Sequence, residues 1–358
     1  MTSPDLSEFA AIQAAADATK AATAEVRREN ERLRSRVAAL TQTIAELEQV
    51  ADLASRLDAA EVRIPRWLGP PKPKGGNHAT LMLLQSDQHF DEVVNPAEMD
   101  GLNAYNREIA TARLERWARN VVRLARDYLA GLTYDGVVLM LGGDAFSGVI
   151  HDELRETNAD VLFGSLLYWL EQEAAAVSLL CDEFGKVHVV AVPGNHGRQT
   201  RKPRAKLRAR DNLDWLFAKL LEREFRSNTR VTFHVPEAAD AWFQVYGRGH
   251  LLTHGDQVTG GHGIGGIWPP IMRMRARKAE VHMTTGRPFD TLWMGHWHQL
   301  IPTPGLIING TLKGWDEYAK LNNFSPEPPQ QAMAVVTPEH GIAWQAPVFC
   351  ADRSAEGW

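Results

Sequence analysis

The amino-acid sequence predicts an α/β protein: a layered pair of β-sheets flanked by helices, preceded by an N-terminal coiled-coil helix. Three observations carry that expectation. Residues 1–62 are rich in Ala, Glu, Arg and Leu and repeat their apolar positions with heptad spacing. From residue 79 onward, short apolar runs alternate with amphipathic helical stretches, the pattern of strands covered by helices. Between the two lies RIPRWLGPPKPKGGN, residues 63–77, whose Pro, Gly and basic residues read as a semi-rigid linker. The predicted boundaries are therefore 1–62, 63–78 and 79–358.

The N-terminal segment contains no Gly, and its only proline is Pro4. Asn30, Val37, Ile44 and Ala51 fall at heptad position a, and Val26, Leu33, Leu40, Leu47 and Ala54 at d. β-Branched residues at a with Leu at d favour a parallel two-stranded coil, and Asn30 would fix its register. Glu29 at g would face Arg34 at e of a partner helix. The segment thus predicts a homo-oligomer, a dimer. The alternative is one long helix folded against the rest of its own chain.

The apolar runs after the linker are TLMLLQS, GVVLMLGG, VHVVAVPG, HLLTHG, TLWMGH and LIING. Helical stretches are expected over 104–129, 160–184 and 211–225. VTFHV, AWFQVYG and HLLTHG crowd together, which predicts a more antiparallel later sheet.

Bulk composition narrows the function classes. The chain has 358 residues, more than one typical domain. Its 44% hydrophobic content and eleven Trp allow a substantial core. A net charge of −5 gives no overall attraction to polyanions, so any such binding needs a local basic patch. Cys181 and Cys350, the two cysteines, exclude a disulfide framework and fit a reducing compartment. The start shows no secretory signal, and no apolar run approaches the roughly 20 residues that span a bilayer. A soluble, cytoplasmic protein without membrane contact is expected.

Five of the six runs end in a polar cluster. These are Asp87-Gln88-His89, Asp144, Asn195-His196, His254-Gly255-Asp256 and His296-Trp297-His298. The carboxyl ends of strands in open α/β sheets face a common crevice, so the clusters can converge. Asp87 and His89, two apart, would point the same way on a strand, as would His296 and His298. All donors are nitrogen or oxygen, which suits Mn²⁺, Fe or Zn²⁺ better than a structural thiolate site. Two such ions form a clamp for in-line displacement at phosphorus.

The order D-x-H, G-D, G-N-H, H-G, G-H-x-H resembles the calcineurin-like metallophosphoesterases. It runs through Asp87-Gln88-His89, Gly143-Asp144, Gly194-Asn195-His196, His254-Gly255 and Gly295-His296-Trp297-His298. The match covers about residues 79–310 and none of the coil. The resemblance implies one metal on Asp87, His89 and His298 and another on Asn195, His254 and His296, with Asp144 shared. It implies a hydroxide bridging two divalent ions as nucleophile, Mn²⁺ first, with Fe, Zn²⁺ or Mg²⁺ as other occupants. His196 would be the acid on the leaving oxygen. The expected activity is hydrolysis of phosphate esters. Two departures stand out: Ser147 replaces a second acid after Asp144, and Gly197 replaces an acid after His196. What orients His196 is therefore open, with Asp152 and Asp256 as candidates.

Arg198, Arg201, Lys202, Arg204, Lys206, Arg208 and Arg210 follow His196 within thirteen residues. Such a run can track a phosphate backbone, or it can be a basic loop paired with the chain's own acids. Arg273, Arg275, Arg277 and Lys278 form a second basic group, with Trp268 nearby as a possible stacking surface. Arg198, Arg201, Lys202, His151 and His262 are the candidate substrate contacts. These features, with Gly143–Phe146 similar to the repair-exonuclease branch of the family, favour a phosphodiesterase or nuclease acting on nucleic acid or nucleotides. A phosphomonoesterase or protein phosphatase is the rival enzyme, and a coiled-coil scaffold with a vestigial metal fold is the non-enzymatic rival.

Overall fold

A strand whose two faces are both apolar must be covered on both sides, and β1 (His78–Gln85) meets a different layer on each. Met82 and Leu84 point into a core shared with a second sheet, while Leu81 and Leu83 lie buried on the opposite face. The computed structural model describes residues 20, 23–38, 40, 41, 44, 64–69, 77–148, 150, 154, 157–200, 202–258 and 266–357. Contacts divide the chain into two units, Met1–Asp58 and Ala59–Trp358.

In the first unit, residues 23–38 form a helix, α1. Val26, Leu33, Val37, Leu40 and Ile44 of the heptad stripe are all exposed. Leu47, Ala51 and Ala54 lie outside the described residues.

In the second unit, β1 pairs in parallel with β2 (Thr133–Leu141), β2 with β3 (Val187–Ala191), and β3 with β4 (Val231–His234). On the other side of β1 run β10 (Gln330–Thr337) and β11 (Gly341–Phe349), both antiparallel to their neighbours. These six strands form the first sheet, in the order β11-β10-β1-β2-β3-β4. The second sheet has the order β5-β6-β7-β9-β8, built from β5 (Asp240–Val245), β6 (Arg248–Thr253), β7 (Thr291–Met294), β8 (Ile301–Thr303) and β9 (Leu306–Ile308).

The later strands differ from expectation in two ways. VTFHV joins the first sheet as β4 rather than the second. The second sheet is mixed: only its edge pairs β5–β6 and β8–β9 are antiparallel, whereas β6–β7 and β7–β9 are parallel. The reason is the helix α5 (Trp268–Thr284) between β6 and β7, which supplies the crossover that a parallel pair requires.

Alternate residues of the two sheets interdigitate. Met82, Val138, Met140 and Val190 meet Phe243, Leu252, Trp293 and Ile307. Trp293 is wholly buried there, and truncating it to Ala would cost roughly 3–5 kcal/mol. Ile64, Trp67 and Leu68, within the stretch read as a linker, also pack on this core. The outer face of the second sheet is covered through Ile271 of α5. Over the first sheet lie α2 (Arg107–Arg123) and α3 (Leu162–Phe184), with α4 (Leu213–Glu224) against α3. α2 begins at Arg107 because the Asn106 side chain caps it, accepting from the Ile109 N–H at 2.8 Å. Among the described residues no helix is long and apolar enough to cross a membrane.

Two short helices, α6 (Glu317–Leu321) and α7 (Arg353–Glu356), occupy the C-terminal region. Arg113 of α2 ties in α7 and the segment before α6: it pairs with Glu356 at 3.0 Å and donates to the carbonyls of Leu312 and Lys313, at 3.2 and 2.6 Å. Both side chains of that pair are fully buried.

Candidate metal centre

All five motifs sit just past the carboxyl ends of β1, β2, β3, β6 and β7, so the fold delivers them to one edge of the two-sheet stack. The local backbone is not extended there. Asp87, His89, Asp144, His296 and His298 have φ of 55, 48, 53, 72 and 52°, in the left-handed region that side chains other than glycine avoid. Each costs on the order of 1 kcal/mol and persists because its surroundings hold it. The paired residues of D-x-H and H-x-H therefore converge through left-handed bends. Strand alternation is not the cause, since β1 ends at Gln85 and β7 at Met294.

The glycines of the motifs make room. A Cβ on Gly194 would lie 2.1 Å from an Asp144 carboxylate oxygen, and one on Gly295 2.4 Å from an Asp87 oxygen. No side chain fits at either position.

Three sets of donor atoms come together, each within 4.8 Å: Asp87, His89 and His298; Asp144, His254 and His296; and His89, Asp144 and His196. In the first, the Nε2 atoms of His89 and His298 stand 3.1 Å apart, and His298 Nε2 is 3.4 Å from Asp87. In the second, His254 Nε2 is 3.0 Å from Asp144 and 3.1 Å from the Asn195 amide oxygen. The third set shows Asp144 reaching both of the others, with His196 at their margin. Asp87, His89, Asp144 and His254 are buried, while Asn195, His196, His296 and His298 are half-buried. The centre is a well with a carboxylate floor and an imidazole rim open to solvent.

Hydrogen bonds lock the floor. The His296 N–H donates to both Asp87 carboxylate oxygens at 3.0 Å, and Ser86 Oγ donates to one at 2.5 Å. The His196 N–H donates to Asp144 at 2.7 Å, and His254 Nδ1 donates to the Gly142 carbonyl at 2.8 Å. With Nδ1 protonated, His254 turns its Nε2 to the well.

Electrostatics favour a cation at the floor. Burial alone would raise the Asp144 pKa, but His254 and His196 outweigh it and hold the carboxyl well below its ordinary range. Burial disfavours a charged imidazole at His254, yet Asp144 overcomes this and lifts its pKa to about 10. Burial, then the nearby Lys313 charge, pushes His89 well below the ordinary histidine value. Burial and the His254 charge lower His296 to about 4. His89 and His296 are thus held neutral, the form in which an imidazole binds a cation, whereas Asp144 holds His254 charged and a cation at that site would have to displace its Nε2 proton. The all-N,O donor set, converging lone pairs and two buried carboxylates fit divalent ions that accept mixed ligands.

His196 finds its support in an unexpected place. Its Nδ1 donates to the backbone carbonyl of Ser147 at 2.8 Å, so the position lacking the second acid still serves, through its main chain. Asp256 is engaged elsewhere, taking Arg208 at 2.5 and 2.6 Å. Asp152 lies outside the described residues. Gly197 has no room for an acid: a Cβ would come within 2.4 Å of Asn212 Oδ1.

The substrate candidates divide. Arg198 donates to the carbonyls of Thr200 and Asn195, at 3.0 and 2.8 Å, and shapes its own loop. Lys202, Arg204 and Lys206 are exposed. Arg198, Arg204, Lys206 and Arg208 line one cleft with Asn195 and Asp256. His151, Arg201 and His262 lie outside the described residues. In the second basic group, Lys278 pairs with Asp240 at 2.5 Å and Arg275 donates to the Gly305 carbonyl at 3.0 Å.

Asp214 is a residue that motif reading misses. From the first turn of α4 it accepts from the N–H groups of Asp144, Ala145 and Gly194, at 3.0, 3.1 and 2.8 Å, and so holds two motif loops in register. Burial, then the Asp144 charge, raises its pKa to about 6. Its only sequence signal, an acid just after Asn212, reads as ordinary helix capping.

No protein-family model and no curated protein matches the chain. Similar solved structures include vacuolar protein sorting 29 from Cryptosporidium parvum, at 15% identity over 72% of this chain and 86% of that one, TM-score 0.31. A conserved predicted phosphoesterase from Streptococcus pneumoniae is 10% identical over 75% of this chain and 97% of its own, TM-score 0.27. The sulfate thiohydrolase SoxB of Thermus thermophilus is 13% identical over 80% of this chain and 60% of its own, TM-score 0.31. In the order of its motifs and in the two-sheet fold that gathers them, the chain resembles the calcineurin-like metallophosphoesterases.

Proposed function

We propose that this chain is a metal-dependent phosphodiesterase that cleaves nucleic acid or nucleotides. It would use two divalent ions, Mn²⁺ first, with Fe, Zn²⁺ or Mg²⁺ as other occupants of the same donors. The observation that carries the reading is the reach of Asp144 into both donor groups, with His196 beside them. Asp87, His89 and His298 would hold one ion and Asn195, His254 and His296 the other, with Asp144 common to both. Such ions, when bound, lower the pKa of water and neutralise charge on phosphoryl oxygens.

The chain's own residues do the rest. The Ser147 carbonyl accepts the Nδ1–H of His196, which leaves Nε2 as the atom that takes up a proton and returns it to the leaving oxygen. Asp214 keeps the Asp144 and Gly194 loops at fixed separation, so His196 and the carboxylate floor stay in register. The exposed Lys202, Arg204 and Lys206 offer charge to a phosphate backbone, which a diester polymer has and a small monoester lacks. Cys181 and Cys350 are both free and buried, which supports a reducing, cytoplasmic setting.

The test is hydrolysis by purified protein with Mn²⁺, offered single- and double-stranded DNA, bis-p-nitrophenyl phosphate and p-nitrophenyl phosphate. DNA and the diester are expected to be cut, with DNA cleavage falling as salt rises. Turnover of the monoester alone would assign a phosphatase instead, and no turnover with any divalent ion would leave the scaffold reading.

A further inference from the structure

Beneath the donor group of Asp87, His89 and His298 lies a buried charged cluster that none of the motifs contains. Lys313 is almost wholly buried, and its Nζ donates to Glu92 at 2.7 Å and to Asp316. Glu92 Oε2 accepts from Ser147 Oγ at 3.0 Å and stands 3.4 Å from His89 Nδ1. His89 Nδ1 is itself buried, with no hydrogen bond made among the described residues. The segment that carries Lys313 also grips the same donor group from below. Thr311 donates to the Asp87 carbonyl at 2.6 Å, and the Asn309 amide to Ser86 Oγ at 2.9 Å. Arg113 fixes that segment in turn through the Lys313 carbonyl.

The geometry is informative because an imidazole that binds a cation through Nε2 must carry its proton on Nδ1, and a buried N–H needs an acceptor. Glu92 is the carboxylate within reach. A lone buried carboxylate would be costly, and Lys313 removes that cost while pinning the Oε2 side toward His89. Among the described residues no such charged pair sits behind His254, whose Nδ1 uses the Gly142 carbonyl. The two donor groups thus have different supports.

We propose that Glu92, anchored by Lys313, is a positioning residue: it fixes His89 as the Nδ1–H tautomer and selectively strengthens cation binding at the group of Asp87, His89 and His298. The inference rests on the two-metal reading above, and its test separates the two. Full-length protein, Glu92→Gln and Lys313→Met are each titrated calorimetrically with Mn²⁺. Wild type is expected to bind two equivalents; if it binds none, the two-metal reading fails. Given two, each variant is expected to bind one ion with wild-type affinity and the other about 10–100-fold more weakly. Two unchanged affinities, or equal losses at both, would overturn the proposal.

Either variant could fail to fold, so a second measurement uses wild type. In Zn²⁺-loaded protein with ¹⁵N-histidine, long-range ¹H–¹⁵N correlations report each ring's tautomer, and the His89 signals are assigned by their loss in His89→Gln. A proton on Nδ1 of His89 is expected. A proton on Nε2 would overturn the proposal whatever the variants do.

Discussion

His196 is the residue whose chemistry can be isolated from the metal floor. It contributes no donor that either proposed ion requires, yet its ring stands 4.6 Å from that of His89. Substitution should therefore spare cation binding and remove proton delivery. His196→Ala is expected to lower kcat on bis-p-nitrophenyl phosphate by about 10²–10⁴-fold, with two metals per chain retained by elemental analysis. A variant that loses both metal and turnover would place His196 among the ligands instead. That the proposed donor residues converge was legible, because a carboxylate, an amide and histidines in fixed order meet the demands of cation coordination whatever lies between them. Their support was not legible. Asp214 reaches Gly194 and Asp144 across 20 and 70 residues, and the Ser147 carbonyl reaches His196 across 49. Glu92 is only three residues from His89, but the Lys313 that anchors it is 221 away, and no motif spacing encodes such contacts.

At the scale of elements, the apolar runs announced strands because every one of them is buried on both faces, and composition alone reveals that. Pairing was harder: adjacency in sequence suggested antiparallel neighbours, but α5 turns β6 and β7 into a parallel pair. The helix α3 carries a further feature that patterning hides. Glu173 falls on its buried face, wholly enclosed, with the Gln85 amide as its polar neighbour at the margin of hydrogen-bond geometry. Burial drives its pKa from the ordinary 4.5 up to about 8. Between those values the folded chain keeps a proton that the unfolded chain has lost. The resulting stability is fully present below pH 4.5 and disappears as pH rises through 8, by up to roughly 5 kcal/mol. Glu173→Gln keeps the shape without the proton. Urea denaturation at pH 5 and pH 9 should show wild type weakening relative to this variant at the higher pH. A difference that does not change with pH would mean that Glu173 titrates as an ordinary carboxylate.

At the scale of the whole molecule, the unit that gathers the proposed metal donors is Ala59–Trp358, and every one of them belongs to it. The N-terminal unit contributes no donor to the described clusters; Val26, Leu33 and Val37 of α1 are exposed, as are Leu40 and Ile44 beyond it. Apolar residues spaced three and four apart along one helix are unfavourable in solvent unless a partner covers them, and each aliphatic side chain buried brings about 1.5–3 kcal/mol. A second copy of the helix in parallel register would cover them with Asn30 opposite Asn30, which would penalise slipped registers and larger bundles. Removing residues 1–62 should therefore change assembly and leave chemistry alone. Sedimentation is expected to show a dimer for the full chain and a monomer for 63–358, with kcat on bis-p-nitrophenyl phosphate within about twofold. A truncated chain that still sediments as a dimer would move the interface to the catalytic unit. One that loses turnover while keeping its fold and its metals would show that the coil supplies something the metal centre lacks.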